Sequence, residues 1–142
     1  MTDVKPRILI VDDEPFYTEV LCNLLYNDYE VLVAETGKES LKMAFNEPHP
    51  ELILLDILLP DIDGYEVCYK LKEDPTTAEI PIIFLTAKSD VDDEVRGFNL
   101  GAVDYITKPI SPPIVQARVR THIRISKMIR QLETIIKQFK GD

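Results

Sequence analysis

Leu52-Ile53-Leu54-Leu55-Asp56 is the stretch that decides the fold, because it is a wholly apolar run that ends in an acid. A second run of the same kind, Ile8-Leu9-Ile10-Val11, is followed by the pair Asp12-Asp13. A short run without polar residues is typical of a strand buried on both faces, as in a parallel sheet. Ligands of open parallel sheets bind beyond the carboxyl ends of the strands. We therefore expect three carboxylates at one edge of the sheet, where they repel one another unless a cation or a lysine balances them.

The rest of the chain alternates strand-like and helix-like segments. Strands are predicted at residues 7–11, 30–34, 51–56, 81–86 and 104–106, and helices at 15–26, 38–46, 64–73 and 91–100. Pro15 suits a first helical turn, Asp90 an N-cap and Gly101 a left-handed C-cap. This alternation predicts a single α/β domain with a parallel sheet and right-handed crossovers.

Composition and charge restrict the classes of function. The net charge of −9 argues against nucleic-acid binding by the main body of the chain. No apolar stretch approaches the roughly 20 residues of a membrane span, and the first residues lack the apolar core of a secretory signal. Cys22 and Cys68 lie in helical patterns without metal-ligand spacing, which is typical of small buried residues in a reducing compartment. We expect a cytoplasmic protein without a membrane partner.

The last segment differs in character from the rest. From Ile114 onward, seven basic residues against two acidic ones give a net charge of +5, which leaves −14 for the remainder. Residues 113–140 contain no glycine or proline after the first position and predict one helix of roughly 40 Å. Its apolar positions form a helical stripe with heptad-like steps of four and three: Ile125, Met128, Ile129, Leu132, Ile135, Ile136 and Phe139. We expect a domain over residues 1–123 and a helical extension over 124–142, which serves homodimerisation or links to an output domain.

The motifs at the predicted strand ends resemble those of a bacterial two-component response-regulator receiver domain over residues 7 to about 123. They are Asp12-Asp13, Asp56, Pro60 with Gly64, Thr86-Ala87 and the segment Gly101-Ala102-Val103-Asp104-Tyr105-Ile106-Thr107-Lys108-Pro109. One departure is Leu59, where the family usually has methionine. The resemblance implies a flavodoxin-like five-stranded parallel sheet in the order 2-1-3-4-5, with helices on both faces, extended here by the long C-terminal helix.

The resemblance also implies a role for each site residue. Asp56 is the expected phosphoryl acceptor, a carboxylate nucleophile that forms an acyl phosphate. Mg²⁺ is the expected cofactor, bound by Asp13, Asp56 and the backbone carbonyl of Leu58, and by Asp12 through a water. Lys108 is expected to pair first with Asp56 and then with a phosphoryl oxygen, and to precede a cis Pro109.

Two further residues are expected to respond to the phosphoryl group. The hydroxyl of Thr86 is expected to donate to the phosphoryl group. Tyr105 is interpreted either as the switch aromatic that turns inward with Thr86 or as an ordinary aromatic of an edge strand. Leu58 and Lys88 are expected to flank the phosphoryl group and to control the access of water, which predicts a phosphorylated lifetime of many minutes.

The predicted function is that of a switch phosphorylated by a sensor histidine kinase or a phosphotransfer protein. Its chemistry is self-catalysed and it is not expected to be an enzyme with a diffusible product. One alternative is a Mg²⁺-dependent phosphatase with an aspartyl-phosphate intermediate, although the position of that class's second acid is occupied here by Leu58. The other alternative is an interaction module with a vestigial site. The segment after Lys108 is similar to receivers fused to cyclic-di-GMP enzymes or kinases.

Overall fold

The computed structural model describes residues 4–87 and 91–140. The predicted N-cap Asp90 and the predicted gate Lys88 lie outside these residues. Five parallel strands form one sheet in the order β2-β1-β3-β4-β5, which confirms the predicted fold. They are β1 (Arg7–Val11), β2 (Glu30–Ala34), β3 (Leu52–Asp56), β4 (Ile82–Thr86) and β5 (Asp104–Thr107). The predicted bounds differ from these by at most one residue.

Helices cover both faces of the sheet. They are α1 (Pro15–Leu25), α2 (Gly37–Phe45), α3 (Gly64–Glu73), α4 (Val91–Asn99) and α5 (Pro112–Phe139). Gly101 follows α4 with a φ of +107°, the left-handed conformation expected of a C-cap. None of the helices in the described part of the chain is long and apolar enough to cross a membrane.

Each apolar strand contributes to two cores because successive side chains point to opposite faces. Ile8 and Ile10 of β1 pack with Leu21 of α1 and Val119 of α5 in one core. Leu9 and Val11 face the other core, together with apolar residues of α2 and α3. A strand buried on both faces needs no polar alternation, which is why the apolar runs predicted the strands correctly.

The long helix α5 changes its surroundings along its length. Its buried residues are Val115, Val119 and Ile123, all in the first half of the helix. Beyond them, the seven apolar residues of the stripe are 44% to 87% exposed. Arg130 is the one residue of this part with a described ion pair to the body, to Glu51 at 3.1 Å. The boundary between a domain and an extension at residue 123 stays a prediction.

Candidate metal and lysine site at the carboxyl end of the sheet

The strand register brings the predicted acids together. Val11 of β1 pairs with Leu55 of β3, so that Asp12 and Asp56 follow side by side. Lys108 follows β5, and its backbone N–H donates to the carbonyl of Thr86 at 2.7 Å. From the end of the edge strand β5, the Lys108 side chain extends past the end of β4 to Asp56 and Asp12.

Lys108 is the centre of a buried ion-pair cluster. Its Nζ lies 2.9 Å from Oδ2 of Asp12, 3.1 Å from Oδ2 of Asp56 and 3.3 Å from Oε1 of Glu14. Asp12, Asp56 and Lys108 are all buried. The backbone N–H of Leu58 donates to the other oxygen of Asp56 at 3.1 Å. The pairing of Lys108 with Asp56 agrees with the predicted resting contact, whereas Glu14 was not predicted.

Burial and charge act in opposite directions on these groups. Burial, followed by the neighbouring charge of Asp12, raises the pKa of Asp56 from 3.8 to about 6, although Lys108 and the Leu58 N–H oppose the shift. Burial alone would lower the pKa of Lys108, but Asp12 and Asp56 more than offset it and raise that pKa above its ordinary value. The lysine is therefore a fixed cation, whereas Asp56 is a carboxylate held at a cost in free energy.

The donor set fits a hard divalent cation. Asp12, Asp13, Glu14 and Asp56 each place a carboxylate oxygen within 4.8 Å of the others. Oδ2 of Asp12 is buried, and among the described residues it contacts the ammonium group of Lys108 at 2.9 Å. A group of carboxylate oxygens this close together suits Mg²⁺, which uses one or two carboxylates and keeps several waters.

A cavity of about 330 Å³ opens in front of the cluster. It is lined by strand ends, the loops that follow them and the start of α4, namely by Glu14, Asp56, Ile57, Leu58, Thr86, Ala87, Asp93 and Lys108. Thr86 lies at the end of β4 and is mostly buried. Leu58 is 74% exposed at the rim of this cavity. One cavity, large enough for a phosphoryl group, is thus lined by the predicted acceptor Asp56 together with Lys108, Thr86 and Leu58.

Tyr105 lies inward on the edge strand β5. Its hydroxyl donates to the backbone carbonyl of Asp93 at 2.6 Å, and its ring contacts Phe84 and Phe98 with centroids 5.6 and 5.3 Å away. Gly97 of α4 leaves room for it, since a Cβ there would lie 1.9 Å from the tyrosine oxygen. Tyr105 is therefore both an edge-strand aromatic and a contact of α4, and its role as a switch stays a prediction.

The Lys108–Pro109 bond is cis, as expected, and Glu47–Pro48 is a second cis bond that was not predicted.

Two functional candidates were missed by the sequence reasoning. Glu14 contacts Lys108 directly, and the ring centroid of Tyr17 lies 4.3 Å from the lysine Nζ. Both belong to the start of α1. The available signal was the glutamate itself, which directly follows the acidic pair and is a poor choice for the residue before a helix.

Comparison with known proteins supports one family. The family model described as response regulator receiver domain matches residues 8–120. A solved structure of a CheY-like response regulator receiver domain protein from Methanospirillum hungatei is 31% identical, with a TM-score of 0.80. The alignment covers 89% of this chain and 98% of that one.

Curated relatives are longer than this chain. A "Probable cyclic di-GMP phosphodiesterase" of Vibrio cholerae is 45% identical over 117 residues, which are 82% of this chain and 26% of the relative. A DNA-binding dual master transcriptional regulator of Synechocystis is 41% identical over 127 residues, 89% of this chain and 52% of the relative. The chain thus spans between a quarter and about half of the length of these proteins.

Proposed function

The chain belongs to the response regulator receiver domain family of two-component signalling, and from this premise we propose that Asp56 is its phosphoryl acceptor. The observation that carries the proposal is the ion pair between the buried Asp56 and Lys108, beside the buried carboxylate of Asp12. A carboxylate in this position can attack phosphorus, while a fixed cation awaits the charge of the phosphoryl oxygens.

The proposed reaction is a transfer and not a hydrolysis of a free substrate. A carboxylate oxygen of Asp56 forms a bond to the phosphorus of a phosphohistidine on a partner, and the phosphorus–nitrogen bond breaks. The imidazole leaves with its electron pair, and Asp56 becomes an acyl phosphate. Lys108 then exchanges its contact with Asp56 for a phosphoryl oxygen, and the Thr86 hydroxyl donates to another.

Asp12, Asp13, Asp56 and the backbone carbonyl of Leu58 are the proposed residues that would hold Mg²⁺. When bound, the ion supplies positive charge that neutralises carboxylate and phosphoryl oxygens. The three acids and Lys108 leave a net charge of −2, and Glu14 makes it −3, so a divalent ion suits the site by charge as well as by ligand type.

Tyr105 and α4 are the proposed route from the site to the surface. The Tyr105 hydroxyl is bonded to the backbone of Asp93, which also lines the cavity in front of Asp56. A phosphoryl group that draws Thr86 toward the site changes the packing beside Tyr105, and the contact with α4 then changes in turn.

The partner that donates the phosphoryl group is proposed to be a sensor histidine kinase or a phosphotransfer protein, in the cytoplasm. An output that binds DNA or acts on cyclic di-GMP, as the names of the relatives suggest, would need segments other than residues 1–142. Nucleic-acid binding is not proposed for these residues, because most of them form a strongly acidic body.

A homodimer through α5 is the proposed use of the apolar stripe. Val115, Val119 and Ile123 face the sheet, and at 100° per residue the centre of the stripe lies roughly 140° around the helix from them. Most of the stripe therefore points away from its own body and is accessible to a second copy, while Ile129 also lines a cleft with Pro50 and Ile80 of the body. Its steps of four and three suit a helix pair, and association entropy offsets part of the free energy gained by burying it.

The proposed acceptor role and the phosphatase alternative are separated by stoichiometry. Incubation with acetyl phosphate and Mg²⁺ should add one phosphoryl group per chain, on a bond that hydroxylamine cleaves. A generic phosphate monoester should not be turned over. Continuous release of phosphate from the monoester would favour the phosphatase, and the absence of any label would favour the vestigial module.

A further inference from the structure

Glu14 occupies the N-cap position of α1 without capping the helix. Its backbone is extended, with φ −92° and ψ 111°, and its side chain makes no capping hydrogen bond in the described structure. Short side chains such as Ser, Thr, Asp and Asn are favoured there because their oxygens accept from the first N–H groups of the helix. A residue that does not follow the N-cap preference is a candidate for a functional role.

The carboxylate of Glu14 is instead directed to Lys108. The lysine Nζ donates hydrogen bonds to Oδ2 of Asp56 at 3.1 Å and to Oε1 of Glu14 at 3.3 Å. Asp12 is closer still, with its Oδ2 at 2.9 Å from the lysine Nζ. The ammonium group is therefore held by three carboxylates, and Glu14 is the one contributed from the start of α1.

Tyr17 completes the enclosure of the same lysine. Its ring centroid lies 4.3 Å from Nζ of Lys108, within the range of a cation–π contact. Asp12 and Asp56 are buried beneath the ammonium group, while Glu14 is exposed and Tyr17 half-buried on its outer side. The side chain of Lys108 is consequently only 6% exposed, although it stands at the mouth of a cavity.

We propose that Glu14 and Tyr17 are positioning residues that hold Lys108 over Asp56 before phosphorylation, with Glu14 competing against the phosphoryl group for the lysine. This rests on the proposed acceptor role of Asp56. The competition slows phosphorylation, because the incoming anion meets a fourth carboxylate and a lysine that already has a partner. The same charge attracts Mg²⁺, so Glu14 favours the cation and opposes the phosphoryl group.

Glu14→Gln separates these two effects, because the amide keeps the size and removes the charge. At saturating Mg²⁺ the rate of phosphorylation by acetyl phosphate should rise two- to tenfold, and Mg²⁺ should bind two- to fivefold more weakly by calorimetry. Both changes should shrink at high salt, since the Glu14 side chain is more than half exposed. The matched control is Glu19→Gln, an exposed glutamate on the same helix, which should change neither quantity.

Tyr17→Phe and Tyr17→Leu test the aromatic part. The phenylalanine keeps the ring face and should leave Lys108 enclosed, whereas leucine removes the ring. The readout is the modification of Lys108 by acetic anhydride, measured by peptide mass spectrometry against the exposed Lys127 as an internal reference. It should increase severalfold in Tyr17→Leu and in Glu14→Gln, and stay unchanged in Tyr17→Phe.

The modification of Lys108 needs no phosphorylation, so it distinguishes failure of this inference from failure of the proposed function. Unchanged Lys108 modification in both Glu14→Gln and Tyr17→Leu would overturn the positioning role even if Asp56 is phosphorylated. A loss of Mg²⁺ affinity of more than a hundredfold in Glu14→Gln would also overturn it, because Glu14 would then be a metal ligand.

Discussion

The carboxyl end of the sheet buries charged side chains, whereas the exposed half of α5 presents apolar side chains to water. At the sheet end, charged groups are buried, and four elements converge so that Lys108 contacts Asp12, Asp56 and Glu14. In the exposed half of α5, apolar side chains from Ile125 to Phe139 face water, and only Arg130 has a described ion pair to the body. The charges of the first region are compensated by residues of the same chain. The apolar side chains of the second region lie on a regular helix and need another molecule to cover them.

The balance at the sheet end should make Lys108 the most sensitive cation of the chain. Lys108→Met leaves two buried carboxylates without their cation, and the free energy of unfolding at pH 7 should fall by about 3 kcal/mol. Lys127→Met, the same change in the exposed half of α5, should stay within about 0.5 kcal/mol of the wild type. Urea denaturation of both variants measures the contrast, and equal effects in the two regions would contradict it.

Asp56 should contribute instability that depends on pH. Because its pKa is raised from 3.8 to about 6 in the folded chain, the folded state binds the proton more tightly than the unfolded state. Stability should therefore fall as the pH rises from about 4 to about 6, by about 2 to 3 kcal/mol from this group.

Asp56→Asn should remove that fall and be more stable than the wild type at pH 7 without Mg²⁺. Denaturation at pH 4.5 and pH 7 for the wild type and the variant measures it. A variant that is destabilised equally at both pH values would show that the carboxylate is not held at a cost.

If the apolar stripe pairs two copies of the chain, a substitution of Leu132 at the centre of the stripe should prevent dimerisation. Leu132→Lys should convert a dimer to a monomer in sedimentation experiments, because a charge in the middle of a helix pair is desolvated. Gln131→Lys adds the same charge outside the stripe and should leave the dimer intact. A wild-type chain that stays monomeric at high concentration, in low and high salt, would refute self-pairing.

Leu58 should have the smallest effect, on the lifetime of the acyl phosphate. It lies exposed at the rim of the cavity, where its apolar side chain gives an attacking water no polar guidance. Leu58→Asn should speed hydrolysis severalfold, measured by the decay of the hydroxylamine-sensitive label. An unchanged or slower decay would mean that water access is not limited at this side of the site.

A local sequence pattern predicted the position of a residue in the fold wherever the pattern identifies a strand end or a helix face. The run before Asp56 predicted a doubly buried strand, and the carboxyl ends of parallel strands gather at one edge of the sheet. The sequence therefore sufficed to predict that the acids and Lys108 lie together. The heptad-like steps likewise predicted the long helix α5, because helical periodicity is local.

Contacts between distant residues without a local pattern were not predictable. Nε2 of His122 in α5 lies 3.0 Å from Oδ2 of Asp104 in β5. Arg118 of α5 donates to the backbone carbonyl of Tyr105. Neither contact is signalled by spacing, since both depend on how α5 is rotated against β5. Glu14 did carry a local signal, since it directly follows the acidic pair, but its contact with Lys108 also depends on where β5 lies in the sheet.

The central claim is that the balanced carboxylate, Asp56, is the phosphoryl acceptor. The most direct test is mass spectrometry of the wild type and Asp56→Asn after incubation with acetyl phosphate and Mg²⁺, with peptide mapping of any label. The wild type should gain one hydroxylamine-sensitive phosphoryl group on the peptide that contains residue 56, and the folded variant should gain none. A full label on Asp56→Asn, or a wild-type label on any other peptide, would contradict the account.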